Sequence, residues 1–252
     1  MSDMSQHQGH DPTDAQRRRF LAGAGVAALT LAPGVRLIDL VRAKPEGEAV
    51  TDRVRWGMLV DATKCAQGCT ECVNACNEEQ GLTKLGRPEI EAQYIRKLDL
   101  KDRTTGHAMS LPMLCQHCET PPCVDVCPTG ASFRRADGIV LVDRHICIGC
   151  RYCMMACPYK ARSFVHEDTT DQKPYNPRGK GCVESCNLCV HRVDAGGTPA
   201  CVEACAKAGH NALVFGDLND KNSAVSQALK AMPTRQIRGD LNLNTGVRYH
   251  GV

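Results

Sequence analysis

Four groups of four cysteines constrain the fold of this chain more than any other feature of its sequence. The densest group lies in HICIGCRYCMMACPYKA, at residues 145–161. The pattern C-x3-C recurs as CVNAC, CVDVC, CMMAC and CVEAC, and two further cysteines precede each copy. Thiols at this density take part in the fold, so the first question is what they bind.

Sixteen of the 17 cysteines belong to these four tetrads, and Cys182 is left over. The tetrads are, in chain order, Cys65, Cys69, Cys72 and Cys76; Cys115, Cys118, Cys123 and Cys127; Cys147, Cys150, Cys153 and Cys157; and Cys186, Cys189, Cys201 and Cys205. The third tetrad has the spacing C-x2-C-x2-C-x3-C-P, which is typical of [4Fe–4S] cluster binding. The second has a longer middle gap and also ends in Cys-Pro, whereas the first opens with one extra residue.

The spacing predicts that the tetrads work in pairs. A [4Fe–4S] cube binds four thiolates, one per iron, and a C-x-x-C-x-x-C loop can reach three of the four corners. In the run C-x2-C-x2-C-x3-C-P, the fourth cysteine binds the other cluster of a pair. The second and third tetrads are joined by a short predicted hairpin, so we assign them to one another, and the first and fourth pair by elimination.

This pairing defines four predicted cluster sites, with the same sixteen cysteines as iron ligands and four [4Fe–4S] clusters as cofactors. Site 1 is Cys65, Cys69, Cys72 and Cys205; site 2 is Cys186, Cys189, Cys201 and Cys76; site 3 is Cys115, Cys118, Cys123 and Cys157; site 4 is Cys147, Cys150, Cys153 and Cys127. One alternative stays open, because Cys182-x3-Cys186-x2-Cys189 repeats the spacing of the first tetrad. We favour Cys201 as the ligand and Cys182 as a buried, inert thiol.

Other uses of the cysteines fit the sequence less well. Zinc also binds C-x-x-C pairs, but a structural zinc site does not need four thiols within eleven residues. A disulfide scaffold fits the number of cysteines but not their spacing. Covalent haem needs C-x-x-C-H, and this string does not occur. An enzyme with an open iron would need a tetrad that lacks a cysteine, and each tetrad is complete.

Residues 1–43 have the pattern of an export signal. A basic stretch precedes an apolar run that ends at Ala32 and is too short to span a membrane. Cleavage after Ala43 would start the mature chain near Lys44, and the alternative is a basic, apolar segment that stays attached. The residues that resemble a twin-arginine signal are Arg17, Arg18, Phe20 and Leu21.

We expect a loop-rich α+β fold with two ferredoxin-like modules and short β-hairpins. The predicted elements are strands at 55–61 and 212–217, a hairpin at 132–143 around Asp137-Gly138, and a helix at 223–232. The tail beyond the helix has no apolar periodicity, and we expect it to run across a surface. The predicted boundaries are a mature chain at 44–252, an inner module at about 110–165, an outer module at about 55–109 plus 166–217, and a C-terminal helix and tail at 218–252.

Across residues 55–217, the four tetrads with Cys-Pro in the middle pair resemble the iron–sulfur electron-transfer subunits of membrane-bound oxidoreductases. This family includes partners of dimethyl sulfoxide, polysulfide and tetrathionate reductases. Within it, the twin-arginine lead and the altered first tetrad are most similar to the periplasmic iron–sulfur subunit of the membrane complex associated with dissimilatory sulfite reductase. Asn77 and Ala206 stand where a ferredoxin usually has proline after cysteine.

The resemblance implies a function, a location and partners. It implies electron transfer, with no catalytic residue, as the periplasmic subunit of a membrane-bound redox complex in respiratory or dissimilatory sulfur metabolism. The implied partners are a polytopic quinone-reactive membrane subunit and a multihaem cytochrome c or other redox subunit, with the chain peripheral to the membrane. The alternative is an electron-transfer subunit of a molybdopterin oxidoreductase or hydrogenase. A net charge of +3 without a Lys/Arg block does not favour a nucleic-acid partner.

Export and cysteine chemistry are compatible if iron is bound first. Thiols on an exported protein normally become disulfides. A twin-arginine route, as the resemblance implies, carries folded proteins, so iron inserted in the cytoplasm would occupy the thiols before they meet an oxidising compartment.

Replacing both Arg17 and Arg18 with lysine tests the export signal. The change keeps the charge but removes two guanidinium groups, which ammonium groups do not replace in paired recognition. We expect the iron-loaded protein to stay in the cytoplasm, measured by cell fractionation and visible absorbance. Arg19→Lys is the matched control and should leave export intact. An unchanged periplasmic yield in the double variant would remove the twin-arginine prediction.

Overall fold

The computed structural model describes residues 49–82, 84–170 and 172–252. The predicted signal residues, Arg17, Arg18, Phe20 and Leu21, and the predicted cleavage position therefore lie outside the described residues. The described strands are β1 (Trp56–Asp61), β2 (Ile95–Lys101), β3 (Ala108–Leu114), β4 (Ser132–Arg134), β5 (Val140–Val142), β6 (Arg162–Phe164), β7 (Val183–Ser185), β8 (Leu213–Asp217) and β9 (Val247–His250). The described helices are α1 (Glu71–Gln80), α2 (Pro122–Asp125), α3 (Tyr152–Ala156), α4 (Val190–Asp194), α5 (Ala200–Lys207) and α6 (Ala224–Ala231), with a 3-10 turn at Gly239–Leu241.

A three-stranded sheet in the order β8-β1-β9 is the largest sheet in the described part of the chain. Its central strand, β1, is an apolar run in which Met58, Leu59 and Val60 are all buried. A strand that is buried on both faces has a continuous run of apolar residues instead of alternating apolar and polar residues, and β1 has such a run. β8 pairs with β1 antiparallel, and β9 pairs with it in parallel.

The position of β9 corrects the expectation that the C-terminal tail runs across a surface. Val247 and Tyr249 face the core and are buried, and Val247 lies opposite Met58 in the register of the sheet. The Tyr249 hydroxyl accepts a hydrogen bond from Gln116 Nε2 at 2.8 Å. A strand of four residues is too short to show an apolar period in the sequence, so only its non-local pairing with β1 reveals it.

The remaining strands form two-stranded antiparallel pairs, β2-β3, β4-β5 and β6-β7. The β4-β5 pair confirms the predicted hairpin, with its turn around Gly138, whose φ of 91° favours glycine. The longer β2-β3 hairpin was not predicted. Its second strand contains Pro112, which is tolerated because the pair has only two strands and proline suits an edge. The short strands and long connections give the mixed α and β, loop-rich fold that was expected.

The helices that carry cysteines pack in two pairs, α1 against α5 and α2 against α3. The later helix α6 packs on β8 and β1, and Ser223 caps its N-terminus by accepting from the Ser226 amide at 3.2 Å. Among the described residues, no helix is long and apolar enough to cross a membrane.

Removing the Tyr249 side chain should destabilise the whole fold. Tyr249→Ala deletes a fully buried ring and leaves Gln116 with one acceptor fewer, so we expect a loss of about 3–5 kcal/mol in the free energy of unfolding. The measurement is the urea midpoint of the iron-loaded protein. Leu241→Ala, at an exposed side chain, is the control and should cost less than about 0.5 kcal/mol. Equal midpoints for the two variants would contradict a stabilising role for β9.

Candidate iron–sulfur cluster sites

The helical C-x3-C pairs present two thiols on one helix face. Cys72 and Cys76 lie on α1, and Cys201 and Cys205 lie on α5. Residues four apart in a helix share a face and are separated by about 6 Å along the axis. All four thiols are buried where α1 packs against α5. Each helix can therefore direct one thiol to its own tetrad and the next thiol towards a neighbouring site.

The inner helices repeat this arrangement in shorter form. Cys123 lies in α2, and Cys127 follows directly after its cap residue. Cys153 lies in α3, and Cys157 is the residue that ends this helix. Because α2 packs on α3, the third and fourth cysteines of the two inner tetrads approach one another.

The structure brings the four predicted site 1 cysteines to one cavity. This cavity is lined by Cys65, Cys69, Cys72 and Cys205. The Cys205 thiol reaches it from α5, although its own tetrad lies more than a hundred residues after the first. Lys97 on β2 lines the same cavity, and its Nζ donates to the carbonyl oxygens of Ala66 at 2.9 Å and Cys69 at 2.6 Å.

The four predicted site 3 cysteines line a second cavity. Its thiols are those of Cys115, Cys118, Cys123 and Cys157. Cys157 again comes from another tetrad and reaches across from the end of α3. Gln116, Tyr159 and Arg162 complete the polar part of the wall.

The neighbours of individual thiols bring together the four cysteines of predicted site 2 and two of the four at predicted site 4. Beyond the effect of burial, the pKa of Cys76 is raised by the nearby thiols of Cys186, Cys201 and Cys189, so these four predicted site 2 residues lie together. At site 4, the Cys147 thiol is a close neighbour of Cys153. Cys150 is exposed, whereas Cys127 is half-buried.

Backbone amides donate to three of the four cysteines that are predicted to cross. Each donor lies at or just before the strand that follows the cysteine: Ser132 N–H donates to Cys127 Sγ at 3.4 Å, Ala161 to Cys157 at 3.5 Å and Ala212 to Cys205 at 3.2 Å. An N–H aimed at sulfur favours the thiolate over the thiol. The strands β4, β6 and β8 thus hold the fourth cysteines in position.

Burial makes the uncoordinated thiols poor acids. The pKa of Cys72 rises to about 11, and the pKa values of Cys115 and Cys118 rise to about 12, because burial removes water from the thiolate and neighbouring thiols add repulsion. At neutral pH these groups would be protonated without a metal. A bound iron reverses this preference, because a coordinating thiol is deprotonated outright.

The donor set and its surroundings fit a cube. All 17 cysteines lie among the described residues, and none forms a disulfide. Within the described ranges, no three Cys, His, Asp or Glu side chains converge closely enough to hold one ion. The thiolates that bind a [4Fe–4S] cube lie farther apart than the ligands of a single ion, because each thiolate binds a different iron. In the wall of site 3, Tyr159 OH and Arg162 Nε are buried without a partner among the described residues, as expected of donors that face a bound group.

Cys182 lies outside the fourth tetrad's site. Its thiol is buried, donates to the Arg144 carbonyl at 3.3 Å and neighbours Cys147. Nearby, Gly149 has a φ of 69°, and a Cβ there would lie 2.2 Å from the Gly181 carbonyl oxygen. Glycine is therefore required inside the third tetrad, where its loop meets the segment before Cys182.

Sequence reasoning missed the cations and amides that face sulfur. Arg162 Nη2 donates to Cys123 Sγ at 3.1 Å, and Gln80 Nε2 donates to Cys189 Sγ at 3.3 Å. Lys97 and Arg162 are two of many basic residues in the chain. Each lies far in sequence from a cysteine that it contacts, Cys69 for Lys97 and Cys123 for Arg162. No spacing in the sequence distinguishes them from surface cations.

Comparison with known proteins gives consistent matches. Residues 107–218 match the family described as the 4Fe-4S dicluster domain. The chain is 41% identical to the "Hdr-like menaquinol oxidoreductase iron-sulfur subunit 1" of Archaeoglobus fulgidus, over 92% of this chain and 97% of that protein. It is 38% identical to a tetrathionate reductase subunit from Salmonella typhimurium, over 86% of this chain and 79% of the relative. It is 40% identical to the protein NrfC of Escherichia coli, over 86% and 87% of the two chains.

Serine substitutions test whether the fourth cysteines cross. Cys157→Ser should damage the cluster at site 3, since the Cys157 thiol lines that cavity, and should leave site 4 with all its thiolates. Cys153→Ser should damage site 4 instead. Redox titration followed by electron paramagnetic resonance separates the two signals.

Cys182→Ser is the matched control for these variants. It should change neither the iron content nor the spectrum, because this thiol is outside the tetrads. If Cys157→Ser and Cys153→Ser alter the same signal, each tetrad binds its own cluster and the crossing is wrong. If Cys182→Ser removes a cluster while Cys201→Ser does not, Cys182 is a ligand of site 2.

Proposed function

We infer the function from one premise: the chain belongs to the family of 4Fe-4S iron–sulfur electron-transfer subunits of oxidoreductase complexes. We propose that it holds four [4Fe–4S] clusters in two ferredoxin-like modules and relays electrons between two partners. The clusters supply one-electron redox chemistry when bound. The chain's own residues bind them, space them and adjust their potentials.

One observation carries the proposal. Two cavities are each lined by three cysteines of one tetrad and the fourth cysteine of another, at site 1 and at site 3. This is the crossed arrangement that paired cubes require, and a zinc or disulfide protein has no need of it. The helix pairs α1-α5 and α2-α3 provide the same crossing in the two proposed modules.

The four proposed sites form a row in which one thiol of each site lies near a thiol of the next. Cys72 of site 1 lies near Cys201 of site 2. Cys186 of site 2 lies near Cys115 of site 3. Cys123 of site 3 lies near Cys153 of site 4. Electrons entering at one end can therefore cross the protein by short steps in the order 1, 2, 3 and 4.

Site 4 is the end of the row that faces solvent. Cys150 is exposed, and four large apolar side chains near it are 47–67% exposed, namely Ile146, Ile148, Tyr152 and Met155. Exposed apolar groups around a cofactor favour a contact with another subunit. We propose that this end delivers or receives electrons at a partner.

The proposed setting is periplasmic, after twin-arginine export, in respiratory or dissimilatory sulfur metabolism. The proposed partners are a polytopic quinone-reactive membrane subunit and a multihaem cytochrome c or other redox subunit, with this chain peripheral to the membrane. Relatives named as subunits of a menaquinol oxidoreductase and a tetrathionate reductase support a complex of this kind. The second candidate is an electron-transfer subunit of a molybdopterin oxidoreductase or hydrogenase, and co-purification from detergent-solubilised membranes separates the two.

Iron content tests the number of clusters. Protein purified without oxygen should carry about sixteen irons per chain, because four cubes hold four irons each, and should absorb broadly in the visible range. Iron and acid-labile sulfide are measured together. A value of about twelve would mean that one tetrad is not a cluster site. Zinc in place of iron would contradict the proposed function as a whole.

A further inference from the structure

Arg162 is a buried cation in direct contact with a proposed cluster ligand. It is the first residue of β6 and is 5% exposed. Its Nη2 donates to Cys123 Sγ at 3.1 Å, and its Nη1 donates to Ser132 Oγ at 2.8 Å. The Ser132 contact fixes the plane of the guanidinium, so the donors that face site 3 cannot rotate away.

The rest of the guanidinium also faces site 3. Arg162 lines the cavity, and its Nε is buried without a partner among the described residues. The hydroxyl of Tyr159, in the same wall, is buried and without a partner in that part of the chain too. Burying a guanidinium costs several kcal/mol unless negative charge compensates it. The compensating groups next to Arg162 are the thiolates of Cys123, Cys115 and Cys153.

Site 2, the next site in the row, has a different environment. The side-chain donor to its sulfur is neutral: Gln80 Nε2 donates to Cys189 Sγ at 3.3 Å. Asn187 holds this amide by donating to Gln80 Oε1 at 3.1 Å. Glu79 and Arg192 act on Cys189 in opposite directions, and they pair with one another at 3.5 Å. Among the described residues, no cation at site 2 is thus in direct contact with sulfur in the way that Arg162 is at site 3. Sites 2 and 3 thus share a low-dielectric interior but differ in the charge next to sulfur.

We propose that Arg162 sets the reduction potential of the cluster at site 3 and raises it above that of site 2. This inference rests on the proposed function. Reduction adds one negative charge to a cube and its thiolates. A fixed positive charge and an N–H to sulfur stabilise the reduced form more than the oxidised form. The electron in a partly reduced row therefore rests at site 3 rather than at site 2.

The first measurement uses the wild-type protein. Redox titration with electron paramagnetic resonance gives a midpoint potential for each signal. Cys118→Ser identifies the signal of site 3, and Cys189→Ser identifies that of site 2. The site 3 signal should have the higher potential. The reverse order would overturn the proposal without any change to Arg162.

The second measurement removes the charge. In Arg162→Gln the site 3 signal should move to a lower potential, so that the ratio of oxidised to reduced cluster at a fixed potential rises about tenfold, or about 59 mV for one electron. The site 4 signal should also move to a lower potential, because Cys153 is a second neighbour of Arg162, and the signals of sites 1 and 2 should stay in place. Lys221→Gln, at an exposed lysine, removes the same charge from the surface and should move no signal.

Lys97→Gln provides a reciprocal control. Lys97 lines site 1, so its loss should lower the potential of a different signal, the one that Cys69→Ser changes. Equal shifts of one signal in Arg162→Gln and Lys97→Gln would mean that net charge, and not position, controls the potentials. That result would overturn the assignment of Arg162 to site 3.

Arg162→Lys keeps the test decisive if Arg162→Gln does not retain the site 3 cluster. Lysine keeps the charge but lacks the planar fork that reaches both Cys123 and Ser132, so the same signal should still fall. An unchanged potential in a fully loaded Arg162→Lys protein would support the charge, rather than the hydrogen bond to Cys123, as the cause, and a site 3 potential below that of site 2 in the wild type would still overturn the proposal. Failure of the proposed function looks different: the wild type itself would carry no iron.

Discussion

Every cube must receive thiolates at four corners, and a single tight loop reaches only three of them. The structure meets this constraint with the geometry of the α-helix, which sets Cys72 and Cys76, or Cys201 and Cys205, one turn apart on a shared face. When one thiol binds the cluster of its own tetrad, the second, one turn away, is free to bind the neighbouring cluster. The helix that carries the other tetrad must therefore pack alongside. The pairing of α1 with α5 and of α2 with α3 satisfies this constraint, and the proposed order of the four sites in a row is consistent with it.

The sites also replace part of the ordinary hydrophobic core. Aromatic residues make up only 4% of the chain, and cysteines from all four tetrads pack among its buried apolar side chains. Thiols with a raised pKa pack there as small neutral groups when no iron is bound. We therefore expect cofactor binding and folding to be coupled, because the same residues would provide the ligands and the packing.

Local chemistry was predictable from the sequence, and long-range placement was not. The tetrads and the β4-β5 hairpin follow from spacings of a few residues, so the sequence contained them in full. β9 is a strand only because β1 offers it an edge almost two hundred residues away. Arg162 has the sequence context of a surface residue but contacts sulfur in the structure, because its guanidinium reaches Cys123 in α2, 39 residues earlier in the chain. Contacts between residues far apart in the sequence cannot be predicted from composition and periodicity.

The parallel pairing of β9 with β1 has a consequence for biogenesis. Residues 247–250 leave the ribosome after every cysteine has been made, yet the central sheet is incomplete without them. The Gly246 amide also donates to the carbonyls of Gln116 and His117, inside the second tetrad's loop. The loop around site 3 therefore reaches its final shape only after residue 246 has been made. We expect the cluster at this site to be completed late, after both its cysteines and β9 are present.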